Sequence, residues 1–324
     1  MKEAAEYLRE LSKKHEKILV LCHHNVDVDG GASAIVLSEI LRGLGVNAEA
    51  GAADDISSLT HVFLSSFGRH LSVNPPLDCG AIILVDTSSF GHLGKFGEAV
   101  KGFQGEVAII DHHRPVEEMR EIADFYFVRE DFSSESELIF KIMEEMKIQL
   151  SGEQASLLLG GIITDTAYFR LSRPETFEII SSLIKAGADY HRVLELLHQP
   201  EDLSKRIAML KAAQRLELQR VGNNLVVFSE LGSFEGDAAN VLVKMGADVA
   251  FVGNEEKGNV RVSARGRLEF IKQTGIHLGE ILEKIAKEFG GNGGGHPGAA
   301  SMNVHGKLGE IKERLFNLMR EKLS

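Results

Sequence analysis

The chain has 324 residues, 44% hydrophobic and 26% charged, with a formal net charge of -11 and two cysteines. That length accommodates two packed domains, and the acidic balance excludes a surface built for a long nucleic-acid duplex. Cys22 and Cys79 stand in no metal-ligand spacing, which excludes a disulfide framework and a thiolate metal site. Residues 2–15 carry apolar positions at helical spacing, with no signal peptide pattern before them. No apolar stretch reaches the roughly 18 residues of a membrane span. A soluble, cytoplasmic protein is expected.

An apolar strand at 17–22 follows, then a helix from about Gly31 to Leu44 with Gly45 at its C-terminal cap. Strand-like runs recur at Val46–Ala50, His61–Leu64, Ala81–Val85, Val107–Ile110 and Phe125–Val128, with helical patterns between them. This alternation predicts a doubly wound, mainly parallel α/β sheet. From 134 to about 197 the pattern is mostly helical, and Ser151 is placed to cap a helix that runs to Asp165. Glu201–Gln219 reads as one connecting helix. Strands then return at Leu225–Ser229, Val249–Val252, Val260–Ala264 and Ala300–Val304, with helices near 236–245, 278–288 and 308–321. The expected division is a larger domain over 1–198, a connector over 199–221, and a smaller α/β domain over 222–324 across a cleft.

Three of the apolar runs end in carboxylates or imidazoles. The first opens into His23-His24-Asn25-Val26-Asp27-Val28-Asp29, another ends in Asp86, and a third closes on Asp111-His112-His113. Ligands of open parallel sheets bind beyond the carboxyl ends of the strands. Side chains distant in sequence should therefore converge on a cluster of histidine nitrogen and aspartate oxygen, the donor set of a hard cation. Asp27 and Asp29, two apart in extended backbone, would point the same way. Asp27 alone is equally well read as a helix N-cap. Asp165 follows another apolar run, Leu157–Ile163, where a lone aspartate is most often a cap or turn residue. Three consecutive titratable groups at 111–113 are costly at a buried strand exit unless paired or ligated.

In the second half, Arg261, Ser263 and Arg265 alternate along a strand-like run and would share one face. The spacing Gly293-x-Gly295-x-x-Gly298 is formally a dinucleotide fingerprint. It follows a helical pattern and contains Pro297, which argues against that use. A glycine-rich loop here would instead turn several amides onto one anion, with His296 at its centre.

Together these motifs resemble the four-motif signature of the DHH phosphoesterases, a family that includes RecJ-type exonucleases, short-oligonucleotide ribonucleases and cyclic-dinucleotide phosphodiesterases. Gly293-Gly294-Gly295-His296 resembles the glycine-histidine motif of the DHH-associated C-terminal domain. The resemblance implies that His23, Asp27 and Asp86 hold one divalent ion. It assigns Asp29, Asp86, His112 and Asp165 to a second ion, with Asp86 bridging. It implies that His113 faces the substrate phosphate or orients the nucleophile, with Asp111 fixing a histidine tautomer. Arg265, Gly293, Gly294, Gly295 and His296 would bind substrate. The family usually has Pro and Gly where this chain has Val26 and Val28. The selection of His23 over His24 rests on alignment to that motif.

Nitrogen and oxygen donors without thiolate suit Mn²⁺, with Mg²⁺ as competitor. The expected function is metal-dependent hydrolysis of short oligonucleotides or small nucleotide phosphates, such as 3′-phosphoadenosine 5′-phosphate. A linear or cyclic dinucleotide phosphodiesterase is the nearest alternative, and a nucleotide sensor without turnover the most different one. No membrane and no long duplex is expected as partner, and a homodimer is compatible with the sequence.

Overall fold

A computed structural model of the chain describes residues 1–87, 89–198 and 202–323. It comprises two compact units, Met1–Gln199 and Pro200–Ser324. Residues 199–201, where the expected connector begins, lie outside the described residues.

The first unit runs α1 (Lys2–Lys14), β1 (Lys17–Val26), α2 (Val28–Gly43), β2 (Asn47–Ile56), α3 (Ser58–Ser65), β3 (Ser72–Val73) and β4 (Ala81–Val85). After a 3₁₀ segment at Phe90–Phe96 come α4 (Gly97–Lys101), β5 (Glu106–Asp111), α5 (Glu117–Ile122) and β6 (Phe125–Val128). The helices α6 (Glu135–Glu145), α7 (Gly152–Asp165), α8 (Pro174–Lys185) and α9 (Tyr190–Leu197) complete it. The strands form one parallel sheet in the order β3-β2-β1-β4-β5-β6. In β1, Ile18, Val20 and Cys22 enter one apolar cluster, while Leu19 and Leu21 enter another. Burial on both faces explains why the strand reads as an unbroken apolar run. The order reverses between β1 and β4, the switch point where such sheets open a crevice beyond their strand ends.

The second unit runs α10 (Leu203–Gln214), β7 (Glu217–Val221), β8 (Asn224–Glu230), α11 (Glu235–Met245), β9 (Val249–Glu256) and β10 (Asn259–Gly266). It continues with α12 (Leu268–Thr274), α13 (Leu278–Glu288), β11 (Asn292–His296), β12 (Ala299–His305) and α14 (Leu308–Leu323). The sheet order is β11-β12-β10-β9-β8-β7. Only the β8–β9 pair is parallel among these described neighbours. Val260, Val262, Met302 and Val304 pack with Ile281 and Ile285 of α13 and Leu315 of α14. Val227, Ala250 and Val252 pack with Ala208 and Ala212 of α10 and with Ala239 and Leu242 of α11.

Three expectations are corrected. His61–Leu64 is helical, because Ser57 caps α3 by accepting from the Thr60 amide and the helix then buries Thr60, Phe63 and Leu64. The helix expected over 201–219 ends at Gln214; beyond it Glu217–Val221 pairs with β8 as an edge strand. The glycine run is a strand rather than a loop, with Gly293 registered on Met302 and Gly294 on Ser301. Among the described residues, no helix is long and apolar enough to cross a membrane.

Candidate metal centre

The local chain path at the end of β1 differs from the extended loop expected. β1 continues to Val26, and Asp27 is the N-cap of α2, its side chain accepting from the Gly30 amide at 3.0 Å. Asp29 sits in the first turn of that helix and is 1% exposed. The capping and site readings of Asp27 are therefore compatible. Val26 and Val28 are both buried in the core beneath the turn. Asp86 follows β4 with φ +52, a left-handed conformation that aspartate tolerates better than most residues.

These elements bring six of the residues together. His23 Nε2 lies 3.7 Å from Asp27 Oδ1 and 3.5 Å from Asp86 Oδ2. His112 Nε2 lies 3.3 Å from Asp86 Oδ1 and 3.6 Å from Asp165 Oδ2. Asp29, His112 and Asp165 form a second triad whose ligand atoms lie within 4.8 Å of one another, as do those of His23, Asp27 and Asp86. Asp86 thus turns one oxygen toward each histidine. Asp86 Oδ1 and His112 Nε2 are buried without a hydrogen-bond partner. Buried polar atoms are nearly always satisfied, so this pair is arranged for a cation that draws on both. The donor set of imidazole and carboxylate fits Mn²⁺ or Mg²⁺.

His23 donates from Nδ1 to the His24 carbonyl at 2.7 Å, which leaves Nε2 for the carboxylates. His24 instead bonds the His92 carbonyl at 2.9 Å. His113 donates from Nδ1 to Asp111 Oδ1 at 2.8 Å, and its amide donates to the same oxygen at 3.1 Å. The His113 side chain is 42% exposed against 9% for His112. Of the two, His113 is the one open to an incoming molecule.

The structure adds a residue that the sequence reading passed over. The amides of Glu135 and Ser136, at the start of α6, donate to Asp29 Oδ2 and Oδ1 at 2.6 and 2.9 Å. A helix N-terminus thereby holds the buried carboxylate. The Glu135 side chain is fully buried and neither of its oxygens has a partner. Burial, then the charges of Asp111, Asp86 and Asp29, push its pKa well up, which favours the neutral acid. The only sequence signal was Ser134 followed by Glu137, a capping pattern that marks a helix start and nothing more.

The crowded acids set the protonation state. Burial disfavours a charged His23, but the nearby carboxylates of Asp27 and Asp86 override it and lift the pKa to about 11. Burial likewise opposes charge on His112, yet Asp86 and Asp29 lift it to about 10. Burial raises Asp165 to about 6, against the pull of His112. Protons on the histidines therefore stand where cations would bind. A pH prediction follows from the signs. The raised Asp165 pKa favours folding below about 4, and that contribution is lost as pH rises through about 6. The raised histidine values favour folding fully below about 6.5, and that contribution is lost through about 10 to 11. The metal-free protein should lose stability as pH rises, and added Mn²⁺ should restore it. In thermal melts the Mn²⁺-induced rise in Tm should be larger at about pH 8 than at about pH 6. A rise that shrinks with pH would contradict this balance.

Gly30 leaves space at the same spot. A Cβ there would meet Asp86 Oδ2 at 2.9 Å and His23 Nε2 at 3.1 Å. Gly30→Ala should lower Mn²⁺ affinity roughly ten- to a hundredfold, by titration calorimetry, with the circular dichroism of the fold unchanged. Undiminished affinity would mean that the two side chains need not hold these positions.

The remaining expected residues lie in the second unit. A Cβ on Gly293 would meet the Leu282 carbonyl and Met302 Cβ, both at 2.8 Å, and Gly295 has φ +139. Both glycines answer to close packing against α13 and β12. Gly294 has open space where its side chain would be. His296 is exposed at the end of β11, and Arg265 NH1 donates to its neighbour's carbonyl at 2.9 Å.

Comparison with known proteins agrees with this geometry. Residues 17–162 match the DHH family N-terminal domain, and residues 234–323 match the DHHA1 domain. The chain is 36% identical over 319 residues to the uncharacterized protein MJ0988 of Methanocaldococcus jannaschii, covering 97% of this chain and 93% of that one. It is 25% identical to the cyclic-di-AMP phosphodiesterase GdpP of Geobacillus thermodenitrificans over 95% of this chain, which spans 48% of that relative's length. It is 28% identical to a probable manganese-dependent inorganic pyrophosphatase of Bacillus mycoides over 70% of this chain and 74% of that one.

Proposed function

The chain belongs to the DHH phosphoesterase family, and from that premise we propose that it hydrolyses phosphoester bonds of short oligonucleotides or small nucleotide phosphates with two divalent ions, Mn²⁺ foremost. The observation that carries this reading is Asp86, whose two buried oxygens face the histidines of two separate triads. His23, Asp27 and Asp86 would hold one ion, and Asp29, Asp86, His112 and Asp165 the other. When bound, such ions activate water and polarise phosphoryl oxygens. Asp111 takes the Nδ1 proton of His113, which leaves Nε2 of this partly exposed ring to donate a proton to a phosphate oxygen. The helix start at Glu135 and Ser136 keeps Asp29 in one orientation. Arg265 and His296 would bind a phosphate away from the reacting centre.

Hydrolysis of a cyclic or linear dinucleotide is the second reading, favoured by the likeness to a cyclic-di-AMP phosphodiesterase across 95% of this chain. Pyrophosphate hydrolysis is less favoured, because residues 234–323 match the DHHA1 domain, whose glycine-histidine motif resembles that of a nucleotide-gripping partner domain. A panel with Mn²⁺ tests the proposal: di- to decanucleotides, cyclic dinucleotides, 3′-phosphoadenosine 5′-phosphate and pyrophosphate. Short linear oligonucleotides and the bisphosphorylated nucleoside should be turned over fastest. Turnover of pyrophosphate alone would overturn it, and a cyclic substrate outpacing every linear one would favour the second reading.

A further inference from the structure

The second unit carries a polar sheet face with more room than a phosphate needs. Register places Arg261, Asn303 and Asn292 in one row across β10, β12 and β11, with Asn254 of β9 continuing it. The next row is Ser263, Ser301 and Gly294, and the next Arg265, Ala299 and His296. Residues directly opposite one another share a face. On β12 and β11 the small Ser301 and Gly294 leave a trough between an amide-rich end and a cationic end, beside the start of α11, where Gly236 lies against Arg265 and Ser263. Four residues along β10 separate the two ends by roughly 13 Å.

The amide-rich end opens into a cavity of about 560 Å³, lined by Asn254, Asn259, Arg261, Asn292, Asn303 and His305 among others. Glu235 engages Arg261 through Nε and NH2, with NH2 at 2.6 Å, so that edge of the guanidinium is already taken. Asn254 donates from Nδ2 to the Gly232 carbonyl at 3.2 Å, which turns its oxygen away from that bond. Asn292 and Asn303 are exposed. Carboxamides carry a donor beside an acceptor, the pattern that pairs with the edge of a nucleobase. A plain phosphate would find little use for such a row.

We propose that this amide row is a base-binding subsite for a second nucleotide, filled when the phosphate of the substrate lies toward Arg265 and His296. The inference rests on the nucleotide reading above and deepens it: the preferred substrate is a dinucleotide or longer, recognised through a base. Contact by Asn292 and Asn303 contributes roughly tenfold in kcat/KM.

The test uses the full chain with Mn²⁺ and 5′-phosphorylated diadenosine dinucleotide, beside analogues made abasic at one residue or the other. Wild type should lose roughly tenfold on one abasic analogue. Asn292→Ala/Asn303→Ala should lose about as much on the intact dinucleotide and little more on that analogue, because base and amides form one interaction. Equal wild-type rates on all three substrates would overturn the subsite while leaving the nucleotide reading intact, and this arm needs no variant to fold. Losses in the variant that add in full to the abasic penalty would also overturn it. Turnover of bis-p-nitrophenyl phosphate without any dinucleotide would overturn the nucleotide reading and the subsite with it.

Discussion

Replacing Asp86 is expected to cost more than any other single substitution in the chain. Its Oδ2 faces His23 and its Oδ1 faces His112, so the first triad loses a member and the second loses the oxygen that faces its histidine. Burial disfavours its charge, but the imidazoles of His112 and His23 beside it hold its pKa well below the usual carboxylate range. It is therefore ionised at any working pH. Alanine would add backbone strain at φ +52, whereas asparagine tolerates that conformation. Asp86→Asn is thus the cleaner variant. It should reduce bound manganese below that of Asp27→Ala, which leaves the Asp29–His112–Asp165 triad whole. Activity should fall at least about a thousandfold, with the fold intact by circular dichroism. Metal counting on the purified variants decides the matter. Full metal content in Asp86→Asn would remove the bridging role and with it the reason to couple the triads.

How far the site could be read in advance depended on which backbone carried each ligand. Asp86 and Asp111–His113 were legible because unbroken apolar runs announce buried parallel strands, and topology then forces their ends together. Asp27 and Asp29 were legible as residues but not as geometry. Periodicity does not say whether a loop or the first turn of α2 presents them, and the helix does. Glu135 was invisible, since its contact with Asp29 spans 106 positions and no local pattern encodes it. The glycines misled in another way. A run of glycine reads as a flexible loop, yet Gly293 and Gly295 lack side chains because α13 and β12 press on the strand, and only Gly294 faces open space. His61–Leu64 looked like strand because valine and phenylalanine favour strands. The Ser57 cap and burial at Thr60, Phe63 and Leu64 outweighed that propensity.

His113→Ala should separate ligation from chemistry at the one imidazole whose place is ambiguous. Its Nδ1 lies 3.4 Å from Asp86 Oδ1, close enough to group it with Asp86, Asp111 and His112. Geometry nevertheless commits that nitrogen elsewhere, because Asp111 accepts its proton at 2.8 Å. The hydrogen bond to Asp111 raises the His113 pKa despite burial. A ring biased toward its charged form, on a side chain partly open to solvent, stabilises negative charge that grows on a phosphate oxygen rather than a resident cation. Such an interaction strengthens in the transition state, so its loss appears in kcat more than in KM. The expected fall in kcat for His113→Ala is roughly a hundred- to a thousandfold, with manganese content unchanged. Asp111→Asn should retain the ring but release its orientation and charge, with a smaller loss of roughly ten- to a hundredfold. Its rate should also decline at lower pH than that of wild type, because the raised imidazole pKa falls back once the carboxylate is gone. If His113→Ala sheds metal instead, the ring belongs to the ligand set, and proton donation to the phosphate must come from another group.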